Sequence, residues 1–298
     1  MCYHPQYCDS LAYAIKSRRA QKANDLQNQQ KYYELMLKED SDVALLRVFE
    51  CFLEAAPQQI LQTTILLVDS MKGTTFQVLY QSGSIVSSLL SMAWSMASYH
   101  RSIRFVQKDK DNITWPGTVM QFLWHFMVTV SRILSISVVA SVFPIFTGLA
   151  CMVHWIVMSL WISLLDRTQF CISTRGDPCR QKVGELLFSS ILGLVYIFTY
   201  LTPGEGRTRN RYIVFYSLCF IENSIAIGLW AGLASDQLKV QWYFIPLICA
   251  AITSFVLGIV FMIVYYAYFH PKPLLPQEGP LRSGVDMVLQ CGDGHIVT

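Results

Sequence analysis

The feature that most limits the fold is a run of seven apolar stretches, each close to the length of a membrane-crossing helix. They occupy residues 43–69, 76–99, 119–142, 145–165, 184–201, 212–234 and 242–269. A helix needs roughly 20 mostly apolar residues to cross a bilayer. Breakers punctuate the stretches: Lys72-Gly73, Trp115-Pro116-Gly117, Phe143-Pro144 and Thr202-Pro203-Gly204. Water-soluble domains carry about 25% charged residues. Here 298 residues hold 14% charged and 53% hydrophobic, too little charge to cover a surface facing water. Disorder is excluded by the long apolar runs and 13% aromatics. The expected class is therefore an all-α, polytopic membrane protein. A net charge of +3, with bases in short runs between apolar stretches, gives no basic face for nucleic acid.

Those short runs set the topology, because cytosolic loops carry the excess of Lys and Arg. Segment 1–42 holds Lys16, Arg18, Arg19, Lys22, Lys31 and Lys38 and is read as cytosolic. It is no signal peptide, since no apolar core follows a basic start. The loops at 98–118 and 166–183 are basic, and the two between them and their neighbours are not. The alternation breaks after stretch 184–201, where Arg207, Arg209 and Arg211 fall on the expected outer side. The conflict disappears if this short stretch, with Gly193 inside and Pro203 behind, enters and leaves on one side. The reading is six full spans plus one half-depth or re-entrant element at 184–201; a full seventh span with a misplaced basic loop is the alternative. Residues 270–298 form a cytosolic tail.

Ionisable groups at membrane depth are costly and point to function. Arg47, Glu50, Glu54, Gln58 and Gln62 recur every three or four residues, along one helix face. Pro57 interrupts that face and removes a backbone donor, so a kink or local opening is expected there. Deeper in the chain stand Arg132, Glu222 and Asn223. Arg132 needs a carboxylate, for which Glu54 and Glu222 are the candidates. Such groups either pin helices together or line a path for something polar. The nine cysteines and six histidines lack metal-ligand spacing, and no phosphate loop or nucleophile triad occurs. No cofactor, metal or enzymatic step is expected.

Two short echoes recur at nearly one offset. Cys51-Phe52-Leu53-Glu54-Ala55 is matched by Cys219-Phe220-Ile221-Glu222-Asn223, and Ala97-Ser98-Tyr99-His100 by Ala267-Tyr268-Phe269-His270. They suggest a duplicated unit with parallel orientation. Further motifs carry a resemblance: Phe49 to Gln62, Ser91-Met92-Ala93-Trp94, Gln121-Phe122-Leu123-Trp124-His125, His154-Trp155, Glu205 to Arg209, and Val264 to Pro271. With these the chain resembles the XK-related family, chiefly its longer, neuronal-type members. The resemblance implies ten hydrophobic elements in two repeats, of which this chain shows the last seven, and so a product inactive or impaired alone.

It also implies a phospholipid scramblase of the plasma membrane that exposes phosphatidylserine on dying cells and so marks them for engulfment. Arg47, Glu50, Glu54, Gln58, Gln62, Arg132, Glu222 and Asn223 would form the lipid-headgroup path. A caspase cut in the tail would fall at Asp286 or Asp293, neither in Asp-x-x-Asp form. Expected partners are membrane phospholipids, an accessory membrane subunit or a lipid-transfer protein, and a second copy as homodimer. The alternatives are a non-scrambling adaptor that docks such a protein, and a secondary transporter of a small solute.

Overall fold

The computed structural model describes residues 4–69, 74–107, 112–165, 178–201 and 209–271. Among them every regular element is helical. Two antiparallel helices come first, α1 (His4–Lys22) and α2 (Leu26–Glu50). Asp25 caps α2 by accepting from the Asn28 backbone N–H at 3.1 Å and its side-chain amide at 2.7 Å. Those bonds hold its carboxyl below the usual carboxylate range. A depressed acid contributes stability above its unfolded pKa and loses it as pH falls through the folded value. The protection factor of the amides at the start of α2, the intrinsic exchange rate divided by the observed one at the same pH, should therefore fall on acidification in the native chain. In Asp25→Asn it should stay flat.

Helix α2 runs without a break through a π-helical turn, Cys51–Ala55, into α3 (Ala56–Val68). The Ala56 N–H reaches back five residues to the Cys51 carbonyl. This wide turn stands directly before Pro57, whose missing donor and bulky ring an ordinary turn would not accommodate. The expected local opening at Pro57 thus takes the form of a π turn. The chain continues in α4 (Thr75–Val106), α5 (Trp115–Ala140), α6 (Pro144–Leu165), α7 (Pro178–Tyr196), α8 (Arg209–Leu233), the single turn α9 (Asp236–Lys239) and α10 (Phe244–Val264). A second π turn, Tyr265–Phe269, ends α10 before Pro271.

Helices α5, α6, α8 and α10 with its π turn are long and apolar enough to cross a membrane. The stretches 43–69 and 76–99 are helical as well. They are less apolar, the first through Arg47, Glu50 and Glu54, the second through seven serines between Ser82 and Ser98.

Helix α5 is central, packing against α3, α4, α8 and α10. A Cβ on Gly258 of α10 would lie 2.7 Å from Val128 Cγ2, so the glycine sets how closely these two helices approach. Gly193 does the same between α7 and α6, where a Cβ would stand 2.2 Å from Ser159 Oγ and 3.1 Å from its backbone nitrogen. Gly193→Val should cost about 1–3 kcal/mol by overpacking, read as a lower melting temperature and faster proteolysis around α7.

Beyond Tyr196 the backbone leaves the helix, yet Ile197, Phe198, Thr199, Tyr200 and Leu201 are all buried. Irregular backbone of this kind is tolerated at membrane depth only inside protein or against water. Here it packs on the α2–α3 helix, where Phe198 meets Phe52 at 6.2 Å, and on α5.

Candidate functional site

The buried carbonyls at the end of α7 have no further helical turn to accept from, and side chains of α5 and α6 approach them. Arg132 Nε donates to the Ile197 carbonyl at 2.7 Å. His154 Nε2 lies 3.1 Å from the Tyr196 carbonyl, and the Tyr196 hydroxyl donates to the Leu201 carbonyl at 2.5 Å. The remaining Arg132 nitrogens turn to α8. One donates to Asn223 Oδ1 at 2.9 Å and the other pairs with Glu222. The second Glu222 oxygen meets His154 Nδ1 at 2.7 Å. Ser131 completes the cluster, donating to the Ala251 carbonyl of α10 at 2.7 Å and accepting from Asn223 Nδ2 at 3.4 Å. One carboxylate, one guanidinium, one imidazole, one amide and one hydroxyl thus tie α5, α6, α8 and α10 to the buried backbone at the end of α7.

Of the expected intramembrane set, the structure joins Arg132, Glu222 and Asn223. Glu222, not Glu54, is the partner of Arg132, because α5 packs against α8 at this level. Arg47, Glu50, Glu54, Pro57 and Gln58 lie together on the exposed face of the α2–α3 helix. Its opposite face, with Val48, Phe52, Ala56, Gln59 and Thr63, is buried. Gln62 is half-buried and its backbone carbonyl accepts from Gln81 Nε2 of α4 at 3.3 Å, beside a hollow of about 480 Å³. Asp286 and Asp293 lie outside the described residues.

His154 belongs to the cluster although spacing alone singles it out for nothing. Apart from Cys151 it is the sole ionisable side chain of α6, and an ionisable group in such a helix is itself a signal.

The cluster forms one wall of a cleft of about 510 Å³ between α5, α6 and α8. Arg132, His154, Glu222 and Asn223 supply its polar part, and Ile136, Val139, Phe146, Ile225, Leu229 and Leu233 its apolar part. Phe146, Ile225, Leu229 and Leu233 are exposed, so the cleft opens sideways from the helix bundle. Glu222 is its accessible charge, with 30% of the side chain exposed against 6% for Arg132. Chemically the cleft suits an amphiphile, with apolar chains along the walls and a polar group at the cluster.

A family model described as XK-related protein matches residues 2–271. XK-related protein 8 of Tetraodon nigroviridis is 28% identical over 261 residues, which covers 85% of this chain and 61% of that protein. XK-related protein 8 of Gasterosteus aculeatus is 28% identical over 255 residues, covering 83% and 59%. The chain spans about three-fifths of the length of these curated relatives.

Proposed function

The chain belongs to the XK-related family, and from that premise we propose that it moves phospholipids between leaflets without an energy source. The observation that carries the reading is the sideways-open cleft with Arg132, Glu222, His154 and Asn223 in its wall. A lipid headgroup cannot cross about 30 Å of hydrocarbon unaided. A polar wall reached from the side lets the headgroup enter while the acyl chains stay outside. The polar face Arg47, Glu50, Glu54 and Gln58 would act as a second part of the path. A solute transporter calls for an enclosed site, and the open cleft favours lipid.

In this reading segments 43–69 and 76–99 complete six spans and α7 stays at half depth, within a two-repeat plan with cytosolic termini. The protein sits in the plasma membrane and exposes phosphatidylserine on dying cells, an engulfment signal. No bond is made or broken in the transfer. An accessory subunit, a lipid-transfer protein or a second copy would be its protein partners.

The test is a fluorescent-lipid flip assay in liposomes. It compares this chain with a form carrying the additional length of a relative. Loss of signal beyond the outer-leaflet half, faster in the lengthened form, supports the proposal. Loss that stops at half in both forms would favour a docking adaptor.

A further inference from the structure

The inner face of α5 carries a polar seam that meets the cleft at Arg132 and otherwise runs apart from it. Gln121, His125, Thr129, Arg132 and Ser135 all lie within an arc of about 120° at 3.6 residues per turn, and extend over about 21 Å. All five are buried, His125, Thr129 and Ser135 to 0% exposure. In four of them a side-chain atom has no hydrogen-bond partner among the described residues: Gln121 Oε1, His125 Nε2, Thr129 Oγ1 and Ser135 Oγ. The neighbouring helices repeat the pattern. His100 of α4, stacked on His125 at 5.2 Å, has an unpartnered Nε2. Gln59 and Thr63 of α3, a residue or two from the contacts that Ile60 and Thr64 make with Ser137, have unpartnered oxygens.

Buried polar atoms are almost always hydrogen-bonded, to protein or to ordered water. Seven orphans on α5 and on the two helices packed against it, α3 and α4, therefore specify a ligand, and their chemistry says which. Amide oxygens accept, hydroxyls do both, and an imidazole nitrogen does either according to its tautomer. A ligand that both donates and accepts at many points suits them. A cation does not, because the Arg132 guanidinium stands on the same face and its charge is already balanced by Glu222. A lipid does not, because the seam is closed from outside. We propose that the α5 seam binds a file of ordered water molecules inside the helix bundle, linking His100 and His125 to the level of Arg132. Buried waters typically bridge two to four such groups.

The experiment is X-ray hydroxyl-radical footprinting of the whole chain in nanodiscs, where radicals form from water and oxidise the nearest side chains. Met96 is one turn from His100 on the same face of α4 and 0% exposed; Met158 of α6 is equally buried at 1%. Water in the seam predicts oxidation of Met96 at least about three-fold faster than of Met158. Equal rates overturn the proposal. In the double variant Gln121→Leu, Thr129→Val the ratio should fall towards one. A folded variant that keeps the full ratio also overturns it, because the water would then lie elsewhere. If the variant does not fold, the ratio in the unsubstituted chain decides.

Discussion

Replacing Arg132 by methionine is expected to destabilise the protein by about 3–5 kcal/mol, the cost of breaking a buried charge pair from one side. The substitution strips Glu222 of its cation and leaves the Asn223 amide oxygen and the Ile197 carbonyl without their donors. Buried acceptors left unmade cost more than the bonds gained in making them. Arg132→Lys keeps the charge but offers one point donor where three acceptors are spread around a planar fork, so it should fall between the two. Glu222→Gln breaks the pair from the other side: the amide oxygen still accepts from Arg132, but the deeper charge is left uncompensated, so a comparable loss is expected. Thermal unfolding in nanodiscs ranks the three. A melting temperature unchanged in Arg132→Met would mean that the cluster does not hold α5, α6 and α8 together.

Glu54→Leu is expected to do the reverse, with stability within about 0.5 kcal/mol of the native chain, as for exposed sites, and lipid transfer reduced at least about ten-fold. Glu54 is on the exposed face of the α2–α3 helix, within the π turn and three residues before Pro57, and packs into no core. Its removal takes a charge from the second part of the proposed path without opening a cavity. Flip assays and unfolding on the same preparation separate the two roles. A fall in stability that accounts for the loss of transfer would make Glu54 a structural residue.

The helices themselves were legible because apolar length is a strong signal. The opening before Pro57 was legible too, since proline leaves few ways to continue a helix. Arg132 announced its need for a carboxylate, but a choice between Glu54 and Glu222 depends on which helices meet, and no local pattern encodes that. Glu54 shares the spacing of a polar face, and its side of the helix is turned outward by the burial of Val48 and Phe52 on the other. His154 stands in one of the motifs of the resemblance, but a lone histidine has no spacing that assigns it to the cluster. The α5 seam is hidden for a related reason. Gln121, His125 and Thr129 recur every four residues, but uncharged polar groups raise no alarm until their burial is known.

Crosslinking in bilayers asks directly whether a lipid headgroup reaches the cluster. A phosphatidylserine analogue with a photoactivated diazirine on its headgroup is crosslinked to the protein in bilayers and the adducts are mapped. A headgroup path through the cleft predicts adducts on Thr147, Ala150 and Cys151, which line it. Ile252 of α10 is the comparison, because it is exposed about as many residues from its helix start as Cys151 is from Pro144. Its yield should be several-fold lower. Equal yields at Ile252 and at the cleft, or adducts confined to the helix ends, would contradict a headgroup path along Arg132 and Glu222.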